Sequence, residues 1–267
     1  MARRSLEHRR VLITGASSGI GRELALAFAR RGSRPLLAAR REHELHEVAE
    51  ECRQLGPDAD YLAGDVTAPD YREALIARAV ARWGGLDIVV NNAGVSAHGP
   101  FADADEATLR RIMEVNFFAA AELTRSALPL VKQGERPAIV NIGSIIGHRG
   151  LPLNSEYAAS KFALRGWSEA LRAELAADRV DVLLVSPGTT ETEFFDHLVA
   201  KQAELPWGDS VAIPAAAVAE QTVRALERGR HEIFPNWRGH ALVAANRLFP
   251  GIVDRVLAKL ASDSRNG

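Results

Sequence analysis

Tyr157 and Lys161, in the segment "YAASK", stand four residues apart, and on a helix that spacing puts both side chains on one face. A tyrosine hydroxyl ionises near pH 10 and is a poor base at neutrality. Lowering that value by about three units takes about 4 kcal/mol of preferential stabilisation of the phenolate, and a lysine ammonium one turn away can supply much of it. The pair suits the movement of a proton to or from an oxygen. Ser144 follows the apolar run "AIVNI", at the kind of strand end where open α/β sheets bind ligands. Asn116 interrupts a helical stretch at "MEVNFF", where its amide competes for backbone partners.

A second group of residues suits an anion. In "VLITGASSGIGRELA", Gly15, Gly19 and Gly21 lie between a strand and a helix, with Ile20 among them. They permit a tight turn and close backbone approach, and the helix offers free N–H groups and the positive end of its dipole to a pyrophosphate. Ser17 and Ser18 add hydroxyl donors. The spacing is G-x-x-x-G-x-G, not the general G-x-G-x-x-G fingerprint.

These groups need a scaffold. Short apolar runs, "VLIT", "RPLLAA", "ADYLA", "LDIVVN", "AIVNI", "VDVLLVS" and "HEIFP", alternate with helical stretches such as Tyr71–Trp83, Glu106–Val131 and Glu156–Ala177. Apolar runs without alternation suit a parallel sheet covered on both faces. The expected fold is therefore α/β: one Rossmann-like, doubly wound domain over 1–267, with a seven-stranded parallel sheet and helices on both faces. A TIM barrel would need eight good strand–helix pairs, and they are not there. A helical extension is expected at about 239–261, where Ile252, Val253, Val256, Leu257 and Leu260 form an apolar stripe. It could pack on the domain, join subunits or lie on a membrane surface.

The bulk composition narrows the partners. The chain has 267 residues, 25% charged and 47% hydrophobic, with a net charge of -1, which gives no general attraction to nucleic acid. Cys52 is the lone cysteine, so neither an intramolecular disulfide nor a cysteine metal cluster can form. No stretch approaches the roughly 18 apolar residues of a membrane span, and "MARRSLEHRR" lacks the apolar run of a signal peptide. A cytoplasmic location is expected. No metal is expected, since the histidines lack ligand spacing. His98 and His148 fall in loops near the presumed site and are expected at the surface.

Taken together, "TGASSGIG" (Thr14–Gly21), "NNAG" (Asn91–Gly94), "GSIIG" (Gly143–Gly147), "YAASK" (Tyr157–Lys161) and "SPG" (Ser186–Gly188) resemble, in order, the motifs of the short-chain dehydrogenase/reductase family. The resemblance implies hydride transfer between a nicotinamide and a carbonyl or secondary alcohol. It assigns Tyr157 as general acid or base, Ser144 as a hydrogen-bond partner of the substrate oxygen, and Asn116 as holder of a water in a proton relay through Lys161. It also implies that Asp65 and Val66 meet the adenine, that Asn92, Ala93 and Gly94 line the adenosine ribose, and that Pro187, Gly188, Thr190 and Thr192 flank the nicotinamide and phosphates. Family members are commonly homodimers or homotetramers. At the end of the second strand, "LLAARRE" has Ala39 where an NAD-selecting acid would stand, followed by Arg40 and Arg41. Arg40 is the first candidate to bind a 2′-phosphate and Arg41 the second, so the expected cofactor is NADP(H) in preference to NAD(H). By the same resemblance, Glu193–Ile213 forms a substrate lid, in which Phe194, Phe195 and Trp207 either line the substrate space or pack the core. The leading reading is an NADPH-dependent carbonyl reductase. Its rivals are an NAD(P)+-dependent alcohol or hydroxysteroid-type dehydrogenase and a dinucleotide sensor without turnover.

Overall fold

The computed structural model describes residues 4–203, 205 and 211–263. Its strands are β1 (Arg10–Thr14), β2 (Arg34–Ala39), β3 (Asp60–Ala63), β4 (Ile88–Asn91), β5 (Ala97–His98), β6 (Ala138–Ile142), β7 (Asp181–Val185), β8 (Thr190–Glu191), β9 (Ala200–Lys201), β10 (Ile213–Pro214) and β11 (Glu232–Ile233). Its α-helices are α1 (Gly19–Ala29), α2 (Glu42–Gln54), α3 (Pro69–Trp83), α4 (Glu106–Met113), α5 (Ala119–Val131), α6 (Ser155–Glu174), α7 (Ala215–Glu227), α8 (Trp237–Leu248) and α9 (Pro250–Asp263). Seven strands form one parallel sheet in the order β11-β7-β6-β4-β1-β2-β3, as the apolar runs imply. Two short pairs, β8 with β10 and β5 with β9, stand apart from it.

Successive strand residues feed opposite cores. Val11 and Ile13 of β1, with Ile88 and Val90 of β4, pack beneath α1, α2 and α7. Leu12, Val89 and Ile139 point the other way, against Leu75, Leu123, Ala127 and Leu171 of α3, α5 and α6. Both faces are dry, which is why these strands read as unbroken apolar runs. Helix α3 starts two residues ahead of the expected Tyr71, because Pro69 suits a first helical turn.

The expected helix from Glu106 to Val131 differs in one respect. Between α4 and α5, Glu114–Phe118 forms a π-helical turn centred on Asn116. Such turns are rare and favour functional sites.

Strand order reverses between β1 and β4, which are neighbours although β2 and β3 lie between them in sequence. A crevice opens beyond the carboxyl ends of the strands at such a reversal.

Candidate active site

The crevice holds a cavity of about 710 Å³. One end is the turn after β1. Gly15 has φ +64°, in the left-handed region, and a Cβ on Gly21 would lie 2.1 Å from the Gly15 carbonyl oxygen. Gly21 therefore sets how closely α1 packs on the turn, and it does not itself line the cavity. The Asn92 amide donates to the carbonyls of Thr14 (2.9 Å) and Gly15 (3.1 Å), while Thr14 Oγ1 accepts from the backbone N–H groups of Asn92 and Ala93 (both 3.0 Å). These bonds fix the loops after β1 and β4 to one another. Helix α1 has no side-chain cap at Ser18 and no acid in its first turn, so its N-terminal dipole faces the cavity unanswered.

The arginines after β2 are not equivalent. Arg41 lies across the turn, with Nε and Nη2 donating to Ser17 Oγ (3.3 and 3.2 Å) and Nη1 reaching Glu193 at 3.2 Å. Arg40 is exposed at the rim and has no carboxylate partner among the described residues. Farther along, Asp65 accepts from the Thr67 N–H and hydroxyl (2.9 and 2.8 Å) and from Arg111 (3.1 Å). Burial works to raise the Asp65 pKa, but these donors hold it below the usual carboxylate range. Arg111 is a lining residue that sequence reasoning missed, because α4 meets β3 only through the fold.

The other end is protonic. Tyr157 is buried, and desolvation pushes its hydroxyl up to about 12 against the opposing effect of its hydrogen bond with Ser144. Lys161 is also buried, and desolvation lowers it to about 8. Its Nζ donates to the Ile142 carbonyl at 2.9 Å and lies 5.6 Å from the Tyr157 ring centroid. The sequence predicts a lysine that drags the phenol down. Burial of the phenol opposes that effect, and the Lys161 amine is also tied to the Ile142 carbonyl of β6.

Asn116 sits behind this end and does not line the cavity. Its Oδ1 accepts from the Val95 N–H (2.8 Å), and its Nδ2 donates to the Val95 carbonyl and Ser160 Oγ (both 2.9 Å). The amide braces the loop after β4 against α6, and it is the wider π turn that aims it there. The other expected residues, Ser17, Ser18, Gly19, Ile20, Val66, Ala93, Gly94, Ser144, Pro187, Gly188, Thr190 and Thr192, all line the cavity.

The segment after β7 closes one side. Thr192 comes within 3.0 Å of where a Gly19 Cβ would stand. Phe194 and Phe195 line the cavity, their rings in line from Tyr157 (5.8 Å) and from one another (5.4 Å). Trp207 lies outside the described residues. Strand β9 pairs with β5, bringing Lys201 beside His98. The expectation of surface histidines fails. His98 is buried on β5 against Phe195, and His148 is buried with Nε2 2.9 Å from Ser186 Oγ. The two-residue β5 has no local signal, and the run "HEIFP" marks β11 without showing that Glu232 comes to lie beside His148.

Comparison with known proteins agrees with this arrangement. Residues 9–203 match the short chain dehydrogenase family. Over 267 residues the chain is 35% identical to hydroxysteroid 11-beta-dehydrogenase 1-like protein B of Xenopus laevis, covering 97% of this chain and 89% of that one. A short chain dehydrogenase/reductase of Burkholderia phymatum, solved in complex with NAD, superposes with a TM-score of 0.85 at 25% identity, over 93% of this chain and 96% of that one. An alcohol dehydrogenase of the archaeon Thermococcus sibiricus, complexed with 5-hydroxy-NADP, superposes with a TM-score of 0.75 at 25% identity, over 85% and 95%. The chain therefore belongs to the short-chain dehydrogenase family and is an oxidoreductase of that type.

Proposed function

We propose that this oxidoreductase is an NADPH-dependent carbonyl reductase in which Tyr157 is the general acid. The observation that carries the reading is the grouping around Tyr157: a buried phenol that lines the cavity with Ser144, with Lys161 Nζ 5.6 Å from its ring centroid.

The residues present fit a nicotinamide dinucleotide. The uncapped start of α1 and the Gly15–Gly21 turn suit its pyrophosphate, and Asp65, Val66, Asn92, Ala93 and Gly94 suit its adenosine half. Pro187, Gly188, Thr190 and Thr192 complete the lining toward Tyr157. When bound, that cofactor supplies the hydride.

The protein's own part is proton transfer and polarisation. Ser144 and Tyr157 donate hydrogen bonds to the substrate oxygen, and Tyr157 delivers its proton as charge develops there. Lys161, still cationic at neutral pH, stabilises the phenolate left behind. Asn116 keeps Val95 and α6 in register around them. Phe194, Phe195, Ile145, Leu151 and Leu198 offer the rest of the substrate an apolar wall. The same residues run the reverse reaction, and the hydroxysteroid dehydrogenase-like relative makes oxidation of a bulky secondary alcohol the second reading.

The pH dependence follows from Lys161. Its pKa is depressed, so it is charged below about 8 and neutral above. The kcat/KM for reduction is expected to fall as pH rises through that value. A profile that stays level to pH ~10, the reference range of a free lysine, would remove the lysine charge from the step.

The cofactor preference rests on Arg40, which has no carboxylate partner among the described residues, and on Ala39, which offers no acid to repel a phosphate. A charge-assisted hydrogen bond contributes about 1.5–3 kcal/mol, or roughly ten- to a hundredfold in affinity. Arg40→Ala is expected to raise KM for NADPH by about that factor and to leave KM for NADH nearly unchanged. A wild-type kcat/KM for NADH equal to that for NADPH would overturn the preference.

A further inference from the structure

Helices α8 and α9 lie beyond the residues matched to the family and carry an uncovered apolar strip. Trp237 is 74% exposed and Leu248 71% on α8, Phe249 is 58% exposed at the junction, and Ile252, Val256 and Leu260 are exposed along α9. Val253 and Leu257 are the positions by which α9 buries itself. At about 100° per residue, Ile252, Val256 and Leu260 form one stripe beside that buried edge, and Phe249 stands exposed at the junction that precedes α9. Arg255 and Lys259 run along the stripe's other border.

Three cations stand beside the stripe. Arg238, Arg255 and Lys259 are exposed and have no carboxylate partner among the described residues, although the whole chain carries a net charge of -1. Of the two acids on α9, Asp254 is committed to Arg149 at 2.6 Å. A second copy of the chain is a poor occupant. In an antiparallel two-fold pair along this stripe, Arg255 and Lys259 would face the same residues of the partner, and like charges would meet. No described helix is long and apolar enough to cross a membrane. An apolar stripe with aromatic residues, bordered by unanswered cations, matches a helix lying in the plane of an anionic interface.

We propose that α8 and α9 form a peripheral docking surface for an anionic lipid bilayer. Phe249, Ile252 and Val256 enter the headgroup boundary, while Arg238, Arg255 and Lys259 meet lipid phosphates. The surface adjoins the catalytic cavity: Gly239 of α8 packs so closely on the lining residue Ile145 that a Cβ would come within 2.6 Å of its side chain.

The test is sedimentation of the full-length protein with vesicles of phosphatidylcholine alone or mixed with phosphatidylglycerol. Binding is expected to the mixed vesicles and to weaken with salt. The exposed double variant Arg255→Gln with Lys259→Gln should lose roughly thirtyfold in partitioning, at about fivefold per basic residue, with its melting temperature unchanged. Phe249→Ser with Ile252→Ser should also release the protein, with no change of mass by light scattering. Absence of wild-type binding to the mixed vesicles, or binding indifferent to both variants, would overturn the proposal. So would a drop in oligomer mass in the serine variant, because a second copy would then be the occupant.

Discussion

Tyr157→Phe is expected to lower the rate of carbonyl reduction by roughly 10²–10⁴-fold, the usual contribution of a positioned general acid. That loss corresponds to about 3–5 kcal/mol of barrier. The substitution removes one oxygen and leaves the ring's other contacts, against Phe194 at 5.8 Å and Lys161 at 5.6 Å. Dinucleotide affinity, followed by quenching of protein fluorescence, should therefore be retained. Ser144→Ala should be milder, since it removes a hydrogen-bond partner of the substrate oxygen and not the proton source. The split between lost turnover and kept binding separates the proton-transfer role from a packing role. An undiminished rate in Tyr157→Phe would sink the mechanism. Retained dinucleotide binding with no wild-type turnover over a wide carbonyl and alcohol panel would favour a sensor instead.

The largest effect on stability is expected at the opposite end of the sheet. Asp87, buried ahead of β4, accepts from the Arg10 N–H (2.8 Å), Arg10 Nε (2.8 Å), Arg10 Nη2 (2.7 Å) and the Glu135 N–H (2.8 Å). One carboxylate thus joins the starts of β1 and β4 to the turn entering β6. Asp87→Ala strands a guanidinium and two backbone donors, and breaking a buried pair in this way costs about 3–5 kcal/mol. A shift of that size should lower the melting temperature by roughly 6–20 °C for a chain of this length. Replacing both partners, Asp87→Leu with Arg10→Met, should cost less than the single change, because no charge is left alone. The sign with pH is fixed. Burial opposes ionisation of Asp87, but its donors depress the pKa below the unfolded value, so the stability is present above about pH 4 and lost as pH falls through the folded pKa. Equal melting temperatures for wild type and Asp87→Ala would contradict this account.

What was legible in the sequence was local or periodic. The strands "RPLLAA" and "AIVNI" coincide with β2 and β6, because residues dry on both faces leave a continuous apolar run. The glycine turn and the Tyr157–Lys161 spacing were readable because their geometry is set within one turn of chain. Contacts between distant segments were not. Asp87 reads as a charge at the start of a strand, and its partner Arg10 is 77 residues away. Arg111 looks like one more surface cation on an amphipathic helix until α4 brings it to Asp65. The spacing puts Lys161 on the same helix face as Tyr157, yet its bond to Ile142 depends on how α6 lies over β6.

The π turn at Glu114–Phe118 is the place where this helix takes up one surplus residue. It accommodates one residue more than an α-helix would over the same rise, so the helix beyond it is rotated by about 100° relative to an uninterrupted one. Upstream, Thr108 and Ile112 are buried, and downstream Leu123, Thr124, Ala127 and Val131 are. The two stripes belong to different helical phases, reconciled at Asn116. Deleting a single residue there would restore regular hydrogen bonding. It would leave both stripes facing the core, because the turn already absorbs that residue, and its cost would be the contacts of the amide with Val95 and Ser160. Loss of one codon within α5 itself, by contrast, would rotate the residues beyond it by about 100° and is the harsher change.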